Sequence, residues 1–103
     1  AVPQSGSHEF VQLREIIRIE CLQKKTRLYL KNGKQLYSSC SLSNFQKILK
    51  SYGFLLSHKA HLINAKYIQH FLKEEPFVVM SDHTKIPIAQ NRRRMLLEKW
   101  SIA

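Results

Sequence analysis

Acidic side chains are scarce in this chain, and one long stretch has none. Between Cys21 and Lys73 there is no Asp or Glu, and the whole sequence holds seven acids against seventeen Lys and Arg. That shortage removes the carboxylate pair that much acid–base catalysis needs. The adjacent Glu74 and Glu75 are the one remaining pair in sequence, and beside Pro76 they read as turn-forming surface residues. Three scattered glycines exclude a P-loop or a dinucleotide-binding glycine pattern. Two cysteines, Cys21 and Cys40, lack the spacing and the number of a cysteine-rich zinc site. They read as reduced thiols of a cytosolic protein rather than as a disulfide. No apolar run approaches the roughly 20 residues that cross a bilayer, and "AVPQSGSHEF" lacks the basic and then apolar order of a signal peptide. The expectation is a soluble, cytoplasmic, non-enzymatic domain over residues 14–103, with residues 1–13 a linker or cloning remnant.

Base is what the chain has in excess. The formal charge is +10, and ten cations fall in the acid-free stretch: Lys24, Lys25, Arg27, Lys31, Lys34, Lys47, Lys50, Lys59, Lys66 and Lys73. A solvated surface ordinarily mixes signs, so a one-signed stretch of this length points to an extended polyanion, with nucleic acid the foremost. An anionic membrane would more often be met by a basic amphipathic helix. At 44% hydrophobic, the chain can also bury one modest core.

Periodicity predicts mostly strand. "EIIRIE" (15–20) alternates, with Ile17 and Ile19 expected on one face and Arg18 and Glu20 on the other. "TRLYLKNGKQLYSS" (26–39) is hairpin-like, Asn-Gly providing a positive φ. A loop over 32–34 would gather Leu28, Leu30 and Leu36 on one face. Ser41 is a candidate N-cap for a helix whose stripe is Leu42, Phe45, Ile48, Leu49 and Tyr52, stopped by Gly53. Strands follow at 54–57, 67–72, 77–81 and 85–88. "QNRRRMLLEKW" (90–100) reads as a closing helix anchored by Met95, Leu96 and Trp100. Its arginines sit in the first turn, where cations oppose the helix dipole, so something outside the helix must favour them.

"HKAHLINAKYIQHF" (58–71) raises the sharpest choice. His58 and His61 are three apart, which fits either a metal pair or a polar lip on a buried strand. In a continuous strand they would point to opposite faces, so no metal is expected and the lip is preferred. Asn64 reads as a turn or cap residue. A helix-turn-helix is excluded by two short helices about forty residues apart, so DNA would be met by loops on a β-scaffold.

Taken in order, "IIRIE", "TRLYLKNGKQLY", "SLSNFQKIL", "FLLSHKAHLINAKYI" and "KIPIAQNRRR" resemble the LytTR domain, a DNA-binding module of bacterial response regulators. The likeness runs from about Arg14 to Trp100. It implies a mainly β fold of about ten short strands in small packed sheets with one or two short helices. It also implies loops at one edge that enter successive major grooves. Carried over by position, those loops are Lys24, Lys25, Thr26 and Arg27; then His58 and Lys59; then Gln90, Asn91, Arg92, Arg93 and Arg94. The chain departs from the family pattern at Lys59 and Ala60, where Arg or Asn and then Ser are usual, and at Ala89 and Gln90, where Ser-Arg is frequent. Lysine can still meet guanine acceptors and glutamine can read adenine, so the mode survives with a different preferred sequence.

The resulting expectation is sequence-specific binding of double-stranded DNA by a transcriptional regulator of a two-component system. Two copies would act on paired repeats, a receiver domain, a membrane segment or another sensor could precede this segment, and neither cofactor nor catalysis is involved. The competing reading is a basic β-domain for RNA or single strands, which would stack bases on exposed aromatics. Tyr29 and Tyr37 are its candidates.

Overall fold

A computed structural model describes residues 2–4, 7–71 and 74–100. Along them run β1 (Val2–Gln4), β2 (Ser7–Glu9), β3 (Ile16–Leu22), β4 (Lys25–Leu30), β5 (Gln35–Ser38), α1 (Leu42–Leu49), β6 (Phe54–His58), β7 (His61–Asn64), β8 (Ile68–Phe71), β9 (Phe77–Met80), β10 (Lys85–Pro87) and α2 (Gln90–Trp100). The central sheet has the order β5-β4-β3-β7-β6, a second has β10-β9-β8, and β1 pairs with β2. Every pairing is antiparallel. The fold is the mainly β architecture expected from the sequence.

Alternation along the strands gives the central sheet two apolar faces. Ile16, Ile19, Leu28, Leu30, Leu36 and Leu62 pack on Leu42, Phe45 and Leu49 of α1. On the other side Ile17 and Ile63 pack on Val78, Met80, Ile86 and Leu96, from the second sheet and α2. Each such side chain contributes about 1.5–3 kcal/mol by leaving water, so the three layers are held by burial. Helix α1 starts where Ser41 Oγ accepts from Asn44 N at 3.2 Å. The chain reverses after it through Gly53 at φ +86°, a left-handed position that glycine takes without steric cost. The predicted stripe is too wide: Ile48 and Tyr52 are exposed. The sheet covers only the face that carries Leu42, Phe45 and Leu49.

Three local details differ from the periodicity reading. A bulge separates the pairs Ile16↔Leu30 and Arg18↔Tyr29, so Ile17 joins the second cluster while Ile19 joins the first. One inserted residue changes which side chains share a face. The carbonyl of Ile16 beside that bulge accepts from Asn64 Nδ2 at 2.9 Å, and Asn64 Oδ1 takes Lys66 N. The second hairpin loop is Lys31–Gly33, not 32–34, because Leu28 faces Leu36 and Leu30 N bonds Lys34 O. A three-residue loop places its left-handed residue last, and Gly33 at φ +84° must hold that place. Leu28, Leu30 and Leu36 nevertheless share the predicted face.

The third difference concerns the histidines. The chain turns at Lys59 and Ala60 and returns as β7, a strand the periodicity reading missed. His58 and His61 therefore lie directly opposite each other, with rings edge-on and centroids 5.6 Å apart. The opposite-face argument presumed a continuous strand, and the turn removes that premise. Among the described residues no cluster of three or more metal-ligating side chains forms. No helix among them is long and apolar enough to cross a membrane.

Candidate nucleic-acid interface

Antiparallel pairing of β3 with both β4 and β7 brings the β3–β4 and β6–β7 turns to the same end of the sheet. Cys21 N donates to Ala60 O at 2.9 Å and joins the two turns directly. Ala89 N donates to Ser57 O at 2.8 Å, which seats the start of α2 beside the second turn. Three basic segments from distant parts of the sequence thus meet at one end.

In the first segment, Lys24 is exposed at the tip of a two-residue turn, with Gln23 at φ +51° and Lys24 at φ +65°. Such a turn favours Asn-Gly, and neither residue here is of that kind. Lys25 is exposed at the start of β4, whereas Thr26 is buried on the α1 side of the sheet. Arg27 lies on the opposite face, half-buried. Its guanidinium stands 4.7 Å from the Tyr37 ring and donates to the Tyr29 hydroxyl at 3.2 Å. That hydrogen bond is the main cause of a raised Arg27 pKa. An open cleft of about 330 Å³ lies beside it, lined by Glu20, Leu22, Gln23, Lys25, Arg27 and Tyr37.

In the second segment, Lys59 is exposed at the turn and His58 is half-buried. His58 Nδ1 accepts from Ala60 N at 3.2 Å, so this ring shapes the turn that presents Lys59.

In the third, Gln90, Asn91 and Arg94 are exposed. Arg92 Nη1 donates to Leu56 O at 3.3 Å, and Arg93 Nη1 donates to Glu75 O. Those two carbonyls supply part of what favours cations in the first helical turn. Arg94 projects outward beside Glu98, 3.6 Å away and one turn along.

The sequence of residues 6–101 matches the family profile of the LytTr DNA-binding domain. The chain belongs to the LytTR family. No curated protein matches it. Among solved structures, the chain is similar to the LytTr DNA-binding domain of a Bacillus cereus protein described as a methyl-accepting/DNA response regulator. That similarity has a TM-score of 0.77 at 18% identity and covers 85% of this chain and 83% of the other. LytTR domains are DNA-binding output modules of response regulators that control transcription, so DNA is the partner of this one.

Sequence reasoning missed a polar network under the first segment of this LytTR domain. Arg18 and Glu20 are buried, not solvated. Arg18 Nη1 meets Glu20 Oε2 at 3.1 Å, and its guanidinium lies 3.5 Å over the Tyr29 ring. The Tyr29 hydroxyl donates to Glu20 Oε1, and Arg18 Nε is 3.6 Å from Asp82. Burial pushes the Asp82 carboxyl up, but hydrogen bonds from Thr84 and the charge of Arg18 hold it below its usual value overall. The available signal was Glu20 itself, an acid beside the basic stretch with Arg18 two residues away on the same strand face. Tyr29 and Tyr37 do share a face, as the three-residue loop predicts, but each has an arginine against it. Only Tyr37 is exposed, while Tyr29 is half-buried under Arg18, so the two do not make a pair of open rings.

Proposed function

We propose that this LytTR domain binds double-stranded DNA sequence-specifically through the end of the sheet where the three basic segments meet. The observation that carries the reading is the pair of backbone bonds, Cys21 N to Ala60 O and Ala89 N to Ser57 O. They hold Lys24, Lys25 and Arg27 beside Lys59 and beside Gln90, Asn91 and Arg94. Exposed Lys59 and Gln90 are the base readers, since Lys can meet guanine and Gln can pair with adenine through two hydrogen bonds. Lys24, Lys25, Arg27 and Arg94 hold phosphate, which supplies affinity without direct sequence information. Arg92, Arg93 and His58 hold the framework and lie next to the duplex, while Thr26 supports the first turn from below. The segments enter successive major grooves, and two copies occupy paired repeats.

Selection of bound duplexes from a random pool tests the proposal. A recurrent motif present twice at helical-turn spacing is the expected result. Recovery of duplexes without a shared motif, together with equal affinity for single-stranded RNA at matched salt, would reverse it.

A further inference from the structure

We infer that Tyr29 and Glu20 are positioning residues for DNA binding, which hold the Arg27 guanidinium ready for a phosphate without touching DNA themselves. The inference rests on the reading above that Arg27 meets DNA.

A tyrosine hydroxyl carries one proton and two acceptor lone pairs. Here Glu20 Oε1 takes the proton, so the lone pairs are left for Arg27, whose Nη1 donates to them at 3.2 Å. Glu20 thereby fixes which way the hydroxyl points. Glu20 is in turn fixed by Arg18 on its second oxygen at 3.1 Å, and both residues are buried. The Tyr29 ring is held by Arg18, stacked at 3.5 Å. The Tyr37 ring stands 4.7 Å from the Arg27 guanidinium on the neighbouring strand. Arg27 is therefore constrained by a hydrogen bond and an aromatic ring while using one of its five N–H donors on Tyr29. The same guanidinium lines the open cleft with Lys25, Gln23 and the buried Glu20, whose carboxylate is held by Arg18 and the Tyr29 hydroxyl. Lys24 and Lys59, by contrast, are exposed turn residues that must be ordered when DNA arrives.

Ordering a long side chain beforehand removes a cost otherwise met on binding. The Tyr29→Phe variant deletes the hydroxyl and keeps the ring under Arg18, so the fold should persist at lower stability, because Glu20 Oε1 loses one donor but Oε2 keeps Arg18. The expected loss of affinity for duplex DNA is about 2–12-fold, the range set by ordering one such side chain. Arg27→Ala should weaken binding and lower the slope of log K against log salt by about 0.9, the signature of one lost phosphate contact. Adding Tyr29→Phe to Arg27→Ala should then change nothing further. A purely structural hydroxyl would weaken binding by the same factor in both backgrounds, and that result overturns the inference while leaving Arg27 as a DNA contact. Wild-type affinity in Tyr29→Phe overturns it too. An unchanged salt slope and affinity in Arg27→Ala removes the reading of Arg27 and the inference with it. NMR relaxation of the Arg27 side-chain N–H in the free protein provides a second measurement. Tyr29→Phe should raise its mobility, and unchanged mobility would count against the positioning role.

Discussion

Glu20 and His61 face each other across the β3–β7 pair, with a carboxylate oxygen 3.9 Å from His61 Nδ1. That nitrogen is buried and has no hydrogen-bond partner among the described residues. Burial lowers the His61 pKa below its ordinary 6.5; Glu20 opposes the shift, and His58 and Arg18 reinforce it. Tyr29 and Asp82 enter indirectly, by sharing Glu20 and Arg18. A histidine with a depressed folded pKa binds more protons when unfolded, so it adds stability that grows with pH. The contribution is complete above about pH 6.5 and fades as pH falls from there through the lower folded value. Asp82, also depressed, loses its contribution only as pH falls below its ordinary 3.8, well outside that window. Urea unfolding of wild type and His61→Gln from pH 7.5 to 5.5 should show a steeper decline for wild type. Parallel declines would mean that His61 is not the group being titrated.

Lys24 occupies a left-handed position, φ +65°, next to Gln23 at φ +51°. A non-glycine residue there costs roughly 1–2 kcal/mol, part of which glycine would return as lost chain entropy. Lys24→Gly should therefore stabilise the domain by a net of about 0.5 kcal/mol. In the proposed interface the same change deletes a phosphate contact, so duplex affinity should fall and the salt slope should drop by about 0.9. Stability and binding would then move in opposite directions, which calorimetry and a salt titration can read on one preparation. A variant that gains stability and binds as wild type would place Lys24 away from the duplex.

Much of this architecture could be read from the sequence because its strongest signals are local. The Leu42, Phe45 and Leu49 spacing, the Ser41 cap and Gly53 each describe one turn of chain, and the helix stands where they put it. The same holds for Leu28, Leu30 and Leu36, whose shared face follows from strand period alone. What escaped depends on partners distant in sequence. Ile17 changes face because of a bulge set by pairing with β4, which no alternation count on β3 reveals. The turn at Lys59 and Ala60 contains no Gly, Pro or Asn to announce it, so β7 was read through. Alternation puts Arg18 and Glu20 on the polar face of β3 but cannot show their burial, which comes from Tyr29, Asp82 and His61 on other elements. Arg92 and Arg93 looked free for a ligand because their carbonyl partners, Leu56 and Glu75, lie far away in sequence.

Gln90 and Arg94 separate base reading from phosphate holding within one helix. Both are exposed on the first turns of α2, which the bond from Ala89 N to Ser57 O seats beside the β6–β7 turn. Glutamine is neutral and can pair with adenine through two hydrogen bonds, an interaction worth roughly 1–3 kcal/mol of discrimination. Arginine at position 94 is charged and solvated, and its exposed pairing with Glu98 is worth at most about 0.5 kcal/mol, little hindrance to a phosphate contact. Gln90→Ala should thus weaken binding to the preferred duplex more than to a random one and leave the salt slope nearly unchanged. Arg94→Ala should weaken both duplexes alike and reduce the slope by about 0.9. Binding curves for the two variants on the two duplexes at several salt concentrations distinguish the roles. Equal losses for Gln90→Ala on both duplexes would show that this residue does not read bases.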